Sequence, residues 1–317
     1  METTIFQPKK EVEEILTTNI LPYWMDKMTD VQHGGFYGRI NGQEVLMPEA
    51  EKGAILNARI LWTFSSAYRL LHKPEYLETA TRAKREIIDR FYDKEFGGIY
   101  WSISAEGRPL DTKKQIYAIG FAIYGLSEYH RATGDSEALE YAIRLFHDIE
   151  AHSFDRKKNG YCEALTREWE EMADMRLSDK DANERKTMNT HLHILEPYTN
   201  LFRVWKDDYL KRQLHNLVRL FIDRILDTET SHLQLFFNDD WESPYRIISY
   251  GHDIEASWLL HEAALVLGDK ALLDEVEPRV VDIAEAATEG SCPSWYTQRT
   301  PKFTFWKMKP HRGRIST

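Results

Sequence analysis

The stretch LSEYHRATGDSEALEYA, residues 126–142, carries the plan of the chain. Its first half spaces apolar and aromatic residues at helical intervals, Thr-Gly-Asp ends that helix, and Asp135-Ser136 supplies the oxygen that starts another. Three other stretches read the same way. SSAYRLLHKPEYLETA (65–80) turns at Lys73-Pro74, YTNLFRVWKDDYLKRQ (198–213) turns at Lys-Asp-Asp, and LHEAALVLGDKALLDEV (260–276) turns at Gly-Asp. Helical hairpins recurring every 60–70 residues or so are units that bury their apolar faces only against neighbouring units. They stack into an open solenoid or close into a ring. Working outward, helix-period runs fall at 9–25, 52–72, 76–92, 115–132, 136–153, 190–206, 208–226, 252–268 and 271–287. Between the hairpins lie HGGFYGRI, EFGGIYWSI, KNGYCEAL and LQLFFND, which read as turns or small hairpins and not as a sheet. No linker interrupts the pattern, so residues 1–290 form one all-α domain.

The bulk numbers exclude several function classes. Hydrophobic residues are 42% and charged residues 29% of 317, a soluble globular balance. No run approaches a membrane span, and the N-terminus METTIFQPKKEVEEIL has no apolar signal core, so a cytoplasmic protein is expected. A net charge of −10 disfavours nucleic acid as a partner. Two cysteines, Cys162 and Cys292, cannot build a disulfide framework. Aromatics at 12% leave enough rings for a sugar-stacking cleft as well as a core. There is no GxGxxG, Walker or GxSxG motif.

Three segments concentrate the polar chemistry. KTMNTHLHILEPYTN (186–200) places Asn189, His193 and Glu196 on one helical face and turns His191 elsewhere. Each such histidine also has a bland reading as a satisfied core group. IISYGHDIEASW (247–258) pairs His252 with Glu255 at a helix start, unless Asp253 caps the helix and His252 is merely exposed. KGAILNARILWTFSSAYR (52–69) sets Arg59 in an apolar run, where it needs a carboxylate partner or a ligand. Tyr117 and Tyr124 stand among small residues in 113–129 and have a core reading too. His191 and His193, two apart on a helix, cannot chelate one ion, so no metal is expected.

At these segments the chain resembles the cellobiose 2-epimerases of the N-acylglucosamine 2-epimerase superfamily. The resemblance rests on HGGFYGRI, KGAILNARILWTFSSAYR, YAIGFAIYGLSEYHRATGD, MNTHLHILEPYTNLFRVW and GHDIEASWLL, from about residue 10 to 288. It implies an (α/α)6 barrel and reversible C2 epimerisation of the reducing-end glucose of β-1,4 disaccharides, with no cofactor and no metal. By motif position it makes Arg59, Tyr117, Asp181 and Asn189 substrate-binding, His193 a catalytic acid/base, and His252 with Glu255 a pair for ring opening. The residue chemistry agrees. Inverting C2 needs a proton removed from one face and returned to the other. Histidine does both near neutral pH, and a cation such as Arg59 steadies the enediolate. An aldose–ketose isomerase shares that intermediate. A glycosidase would instead need two carboxylates, with Asp181 and Glu255 available. A helical scaffold would need no cleft at all. The resemblance leaves the oligomeric state open.

The match fails at the end. The family has a second catalytic histidine and an HWWPQAE-like string near its C-terminus. From residue 291 this chain reads SCPSWYTQRTPKFTFWKMKPHRGRIST, basic and unlike a helix. Two expectations follow. A one-base frameshift has replaced the last quarter, leaving about nine of twelve helices and an inactive or open ring. Alternatively, Trp306, Lys307, His311, Gly313 and Arg314 keep the family's WKxxxHxGR spacing after a deletion, and His311 is the second base.

Overall fold

In a computed structural model the structure describes residues 6–290. The tail at 291–317, with His311, lies outside them. Among the described residues there are nine helical rods, each within three residues of its expected run. The first is α1 (Phe6–Ile15), a π-turn at Leu16–Ile20, and α2 (Leu21–Lys27). Then come α3 (Ala54–Leu71), α4 (Pro74–Glu86, extended through Ile87–Phe91), α5 (Ile116–Thr133), α6 (Ser136–His152), α7 (Met188–Val204), α8 (Asp208–Leu220, extended through Phe221–Ile225), α9 (Tyr250–Leu267) and α10 (Lys270–Ala287). Among them no helix is long and apolar enough to cross a membrane.

Composition decides which helices are inner. The helix α5, IYAIGFAIYGLSEYHRAT, is buried on every side over Ile116–Tyr129. The helix α8, DYLKRQLHNLVRL, buries one stripe, Leu210, Gln213, Leu214, Leu217, Val218 and Leu220, and turns Lys211 and Arg212 to solvent. Accordingly α3, α5, α7 and α9 pack side by side as an inner row, and α4, α6, α8 and α10 each back onto the inner helix before them. The hairpin turns use the signals read from sequence. His72, Gly134 and Gly268 close α3, α5 and α9 in the left-handed region. Asp135, Asp207 and Asp269 then accept from backbone N–H groups to open α6, α8 and α10. The result is the inner-and-outer arrangement of an (α/α)6 barrel.

At the other end, each outer helix returns to the next inner helix through a repeated turn. Bridges join Thr29 to Phe36, Tyr92 to Ile99, Phe154 to Tyr161 and Leu226 to Leu233. Gly34–Gly35, Gly97–Gly98 and Asn159–Gly160 take the positive φ these turns demand. Short antiparallel pieces follow: β1 (Lys52–Gly53) with β2 (Ser102–Ile103) and β3 (Pro109–Asp111), β4 (Lys114–Gln115) with β5 (Ala164–Leu165), and β6 (Lys186–Thr187) with β7 (Phe236–Phe237). Only β2 with β3 is a small hairpin of the kind expected from the Gly-aromatic strings; the other pairs join segments distant in the chain, and β1, β2 and β3 make a three-stranded sheet where the sequence reading had none. In the first three turns a buried lysine locks the loop. Lys52 donates to Asp30 at 2.8 Å, Lys114 to Asp93 at 2.8 Å and Lys186 to Asp155 at 3.0 Å. Each lysine lies two residues before an inner helix, and in the fourth unit Ile248 holds that place. There Asp253 does the tying, accepting from His232 Nδ1 at 2.8 Å and from the Leu233 N–H at 3.0 Å. Asp253 is therefore no helix cap; α9 starts from Ser249.

These anchors put the inner helices in one register. The seventh residue past Lys52, Lys114, Lys186 and Ile248 is Arg59, Phe121, His193 and Glu255. The tenth is Trp62, Tyr124, Glu196 and Trp258. The chemistry forms rings across the lumen at the mouth where the inner helices begin. Lower down, Glu128 accepts from Arg69 Nε at 2.8 Å, Ser66 Oγ at 3.0 Å and Asn200 Nδ2 at 3.2 Å, closing the floor.

Candidate active site

The helix α7 presents the central groups. Thr187 caps it, accepting from the Thr190 N–H at 3.1 Å and donating its hydroxyl to Glu163 at 2.5 Å. That fixed start sets Asn189 at the mouth and His193 one turn deeper. Pro197 has no N–H to give the His193 carbonyl, and Gly120 of α5 lies against that carbonyl so closely that a Cβ would collide with it. His193 is buried, edge-on to Tyr117 with centroids 4.8 Å apart and tilted against Phe121 at 5.0 Å. Its Nδ1–H donates to Glu196 Oε2 at 3.1 Å. The partner fixes the tautomer, so Nε2 keeps its lone pair and can take a proton.

His191 lies on the far face, as the helical spacing requires. It is fully buried, donating from Nδ1 to the Thr187 carbonyl at 2.6 Å and accepting the Tyr161 N–H on Nε2 at 2.9 Å. Burial lowers it to about 4. It is a satisfied core histidine.

Arg59 is exposed on the lumen side, not buried as its apolar neighbours suggested. Among the described residues no carboxylate lies within ion-pair range of it. It donates from Nη2 to the Tyr117 hydroxyl at 3.0 Å, and its guanidinium sits 4.6 Å above the Phe121 ring. Burial pushes the Tyr117 hydroxyl above its ordinary range, so it stays protonated. On α9, His252 is half-buried, and burial, with the charge of His193 adding to it, lowers it to about 4. Burial raises the Glu255 carboxyl, against the pull of His193 and Arg59 and with Glu196 pushing it further up. These groups are close enough to couple, so any charge on one is felt by the rest.

A cavity of about 490 Å³ opens beside this cluster. Asn189 and His252 line it from the helices, and Arg176, Leu177, Ser178 and Asp181 line it from the loop between β5 and β6. Asp181 is held in place by accepting from the Ser178 N–H and hydroxyl, both at 2.9 Å. The structure thus gathers Arg59, Tyr117, Asp181, Asn189, His193, His252 and Glu255 at one mouth. His311 lies outside the described residues.

Three further residues enter. Glu196, noted in sequence only as a face neighbour, is the orienting partner of His193. Phe121 forms the platform under Arg59 and reads in sequence as plain core. Glu163, inside KNGYCEAL, gave no signal. It is buried in the cavity wall and also accepts from Gln115 Nε2 at 3.1 Å. Burial pushes its carboxyl up to about 7, with Thr187 pulling the other way. The folded state then holds a proton that the unfolded chain releases, so this group's contribution to stability falls as pH rises from about 4.5 to about 7. Glu163→Gln is expected to remove that decline, seen as urea midpoints that differ less between about pH 5 and about pH 8 than in the parent.

Glu196→Gln is the sharper test of the pair. An amide can offer its own N–H to Nδ1 and move the proton to Nε2, which destroys the base. Turnover is expected to fall about 10²-fold or more with the fold intact, and Glu196→Asp to recover part of it; equal turnover in Glu196→Gln would sink the assignment.

Residues 35–292 match the family N-acylglucosamine 2-epimerase (GlcNAc 2-epimerase). The chain belongs to that family. It is 73% identical over 282 residues to a cellobiose 2-epimerase of Bacteroides fragilis, covering 89% of this chain and 72% of that one. It is 42% identical to a cellobiose 2-epimerase of Ruminococcus albus, covering 83% of this chain and 67% of that one. The solved cellobiose 2-epimerase of Bacillus thermoamylovorans superposes with a TM-score of 0.84 at 42% identity, over 88% of this chain and 71% of that one. The family is one of carbohydrate epimerases, so the chain falls in the isomerase class. A D-mannose isomerase at 18% identity and a family 76 glycoside hydrolase at 13% share the fold alone, with TM-scores of 0.73 and 0.60. The barrel therefore does not choose the reaction; the mouth residues must.

Proposed function

We propose that the chain inverts C2 of the reducing-end glucose of β-1,4 disaccharides, taking cellobiose to glucosyl-mannose and lactose to epilactose. The observation that carries this is the His193–Glu196 pair facing the mouth beside Arg59 and Tyr117. The family relatives named for cellobiose supply the substrate class.

The steps follow from the groups present. His252, neutral near pH 7, with Glu255 beside it, moves the proton from the anomeric hydroxyl toward the ring oxygen, and the ring opens to the aldehyde. His193 Nε2 removes the C2 proton, and its electron pair moves into the C1–C2 bond. The charge collects on O1, where Arg59 and the protonated Tyr117 face it. A second acid, for which His311 is our candidate, returns a proton to the opposite face of C2. Asp181 and Asn189 hold hydroxyls in the adjoining cavity. Transfer of the O2 proton to O1 and return of a proton to C1 instead of C2 would give the ketose, so the isomerase reading parts from this one after the enediolate. Chromatography of cellobiose incubations decides between them. Glucosyl-mannose as product is the expected result; glucosyl-fructose as the sole product would replace this reading with the isomerase.

A further inference from the structure

The register that lines up the inner helices also lines up one strand residue beside each start. The N–H that opens α3, α5 and α7 donates to one carbonyl apiece: Ala54 to Trp101 at 3.0 Å, Ile116 to Glu163 at 3.1 Å and Met188 to Leu235 at 2.9 Å. The fold needs only a carbonyl at this place, and Trp101 and Leu235 supply it with apolar side chains attached. Glu163 adds a carboxyl that is 2% exposed, a group whose burial is costly unless it is bonded. A local cost that the fold does not ask for points to the site.

The carboxyl joins the two central helices. It accepts on Oε1 from Nε2 of Gln115, the residue before α5, at 3.1 Å and on Oε2 from the hydroxyl of Thr187, the cap of α7, at 2.5 Å. Tyr117 and Asn189 stand two residues beyond those contacts, and His193 stands one turn past Asn189. Gln115 Nε2 also donates to the Met175 carbonyl at 3.3 Å, in the loop that carries Asp181. Tyr117, Asp181, Asn189 and His193 are thus tied to one carboxyl. As the neutral acid it also has an acceptor for its proton, because Thr190 Oγ1 lies beside it and is otherwise unpartnered among the described residues.

We propose that Glu163 is the positioning residue of the mouth, its neutral carboxyl setting α5, α7 and the Asp181 loop at the spacing that holds the sugar. This rests on the reading of that mouth as the sugar site. The groups around the carboxyl give its pH response a direction. The helices α5 and α7 present only the uncharged Gln115, Thr187 and Thr190 to it. The loop presents Asp181, with Asp179 and Lys180 beside it in the cavity wall, while Arg176 is engaged by Asp174 and Arg185 by Glu171. The helix α9 presents His252, neutral near pH 7. Ionisation of Glu163 near pH 7 therefore sets its carboxylate against that of Asp181 and withdraws the proton offered to Thr190. The clamp loosens, and the sugar is held less well.

Titration calorimetry of the full chain with cellobiose is the test. Parental affinity is expected to fall about five- to tenfold from about pH 6 to about pH 8, as the neutral fraction of Glu163 drops from about nine-tenths to about one-tenth. Glu163→Gln, whose side chain is neutral at both, is expected to show no such fall. Glu163→Leu, which places here the side chain that Leu235 has in the equivalent place, is expected to bind at least about tenfold more weakly at both pH values. Glu168→Gln, an exposed carboxylate nearby, is expected to keep the parental fall. Circular dichroism melts check that each variant folds; if Glu163→Leu does not, the comparison of parent with Glu163→Gln decides. A Glu163→Gln protein that tracks the parent with pH, or a folded Glu163→Leu protein that binds as tightly as the parent, overturns the proposal. A parent that binds no cellobiose overturns the sugar-site reading and this proposal with it, whereas the expected binding pattern without epimerisation supports the proposal and overturns the proposed reaction alone.

Discussion

His193→Ala is expected to lower C2 epimerisation by about 10²–10⁴-fold, the range by which a positioned general base acts. The variant removes Nε2, the lone pair that takes the C2 proton, and leaves Arg59, Tyr117 and Asn189 where they are. Alanine also leaves a gap beneath the Tyr117 and Phe121 rings, so some stability is lost with it. His193→Gln fills more of that gap and cannot serve as a base, and it is expected to be just as slow. Substrate affinity should change much less than turnover, since the neighbouring cavity is untouched. A variant retaining more than a tenth of parental turnover would mean that another group takes the proton.

Lys52→Met is expected to cost about 3–5 kcal/mol of stability, as when one partner of a buried ion pair is removed. Lys52 is 1% exposed and Asp30 is fully buried. The ammonium also donates to the Gly34 carbonyl at 2.7 Å, so methionine leaves a charge and a carbonyl without their partner. Burial pushes the Asp30 carboxyl up, but Lys52 and the N–H groups of His33 and Gln32 outweigh it and hold it below its ordinary value. A carboxylate with a depressed folded pKa stabilises above its unfolded pKa, and that stability is lost as pH falls through the folded value. Parent and variant should therefore converge below about pH 4. Lys158→Met, which breaks an exposed, solvent-screened pair with Asp240, should shift stability far less. Urea unfolding of the three proteins checks the contrast.

The helices and the mouth were legible because both are written in short-range spacing. A lone apolar face every 3.6 residues marks an outer helix, and Gly134 and Asp135 mark where α5 ends and α6 begins whatever the rest of the chain does. Asn189, His193 and Glu196 read as one face because four and three residues make a turn. Arg59 stood out as a charge in apolar text, although it proved exposed and set on Phe121, with no carboxylate within ion-pair range among the described residues. Other features were illegible because they depend on distant pairing. Glu163 becomes part of the site only when β4, β5 and β6 bring Gln115 and Thr187 to it. Asp253 looks like a cap until His232 is placed beside it. The lysine anchors are invisible singly, since Lys52, Lys114 and Lys186 resemble surface residues until their aspartates fold over them.

The most direct test is proton NMR of cellobiose incubated with the chain in D2O. Removal of the C2 proton by His193 predicts loss of the C2 signal of the reducing-end glucose as deuterium enters, at a rate abolished in His193→Ala. A C2 proton that never exchanges, or exchange that proceeds equally in His193→Ala, would contradict the account.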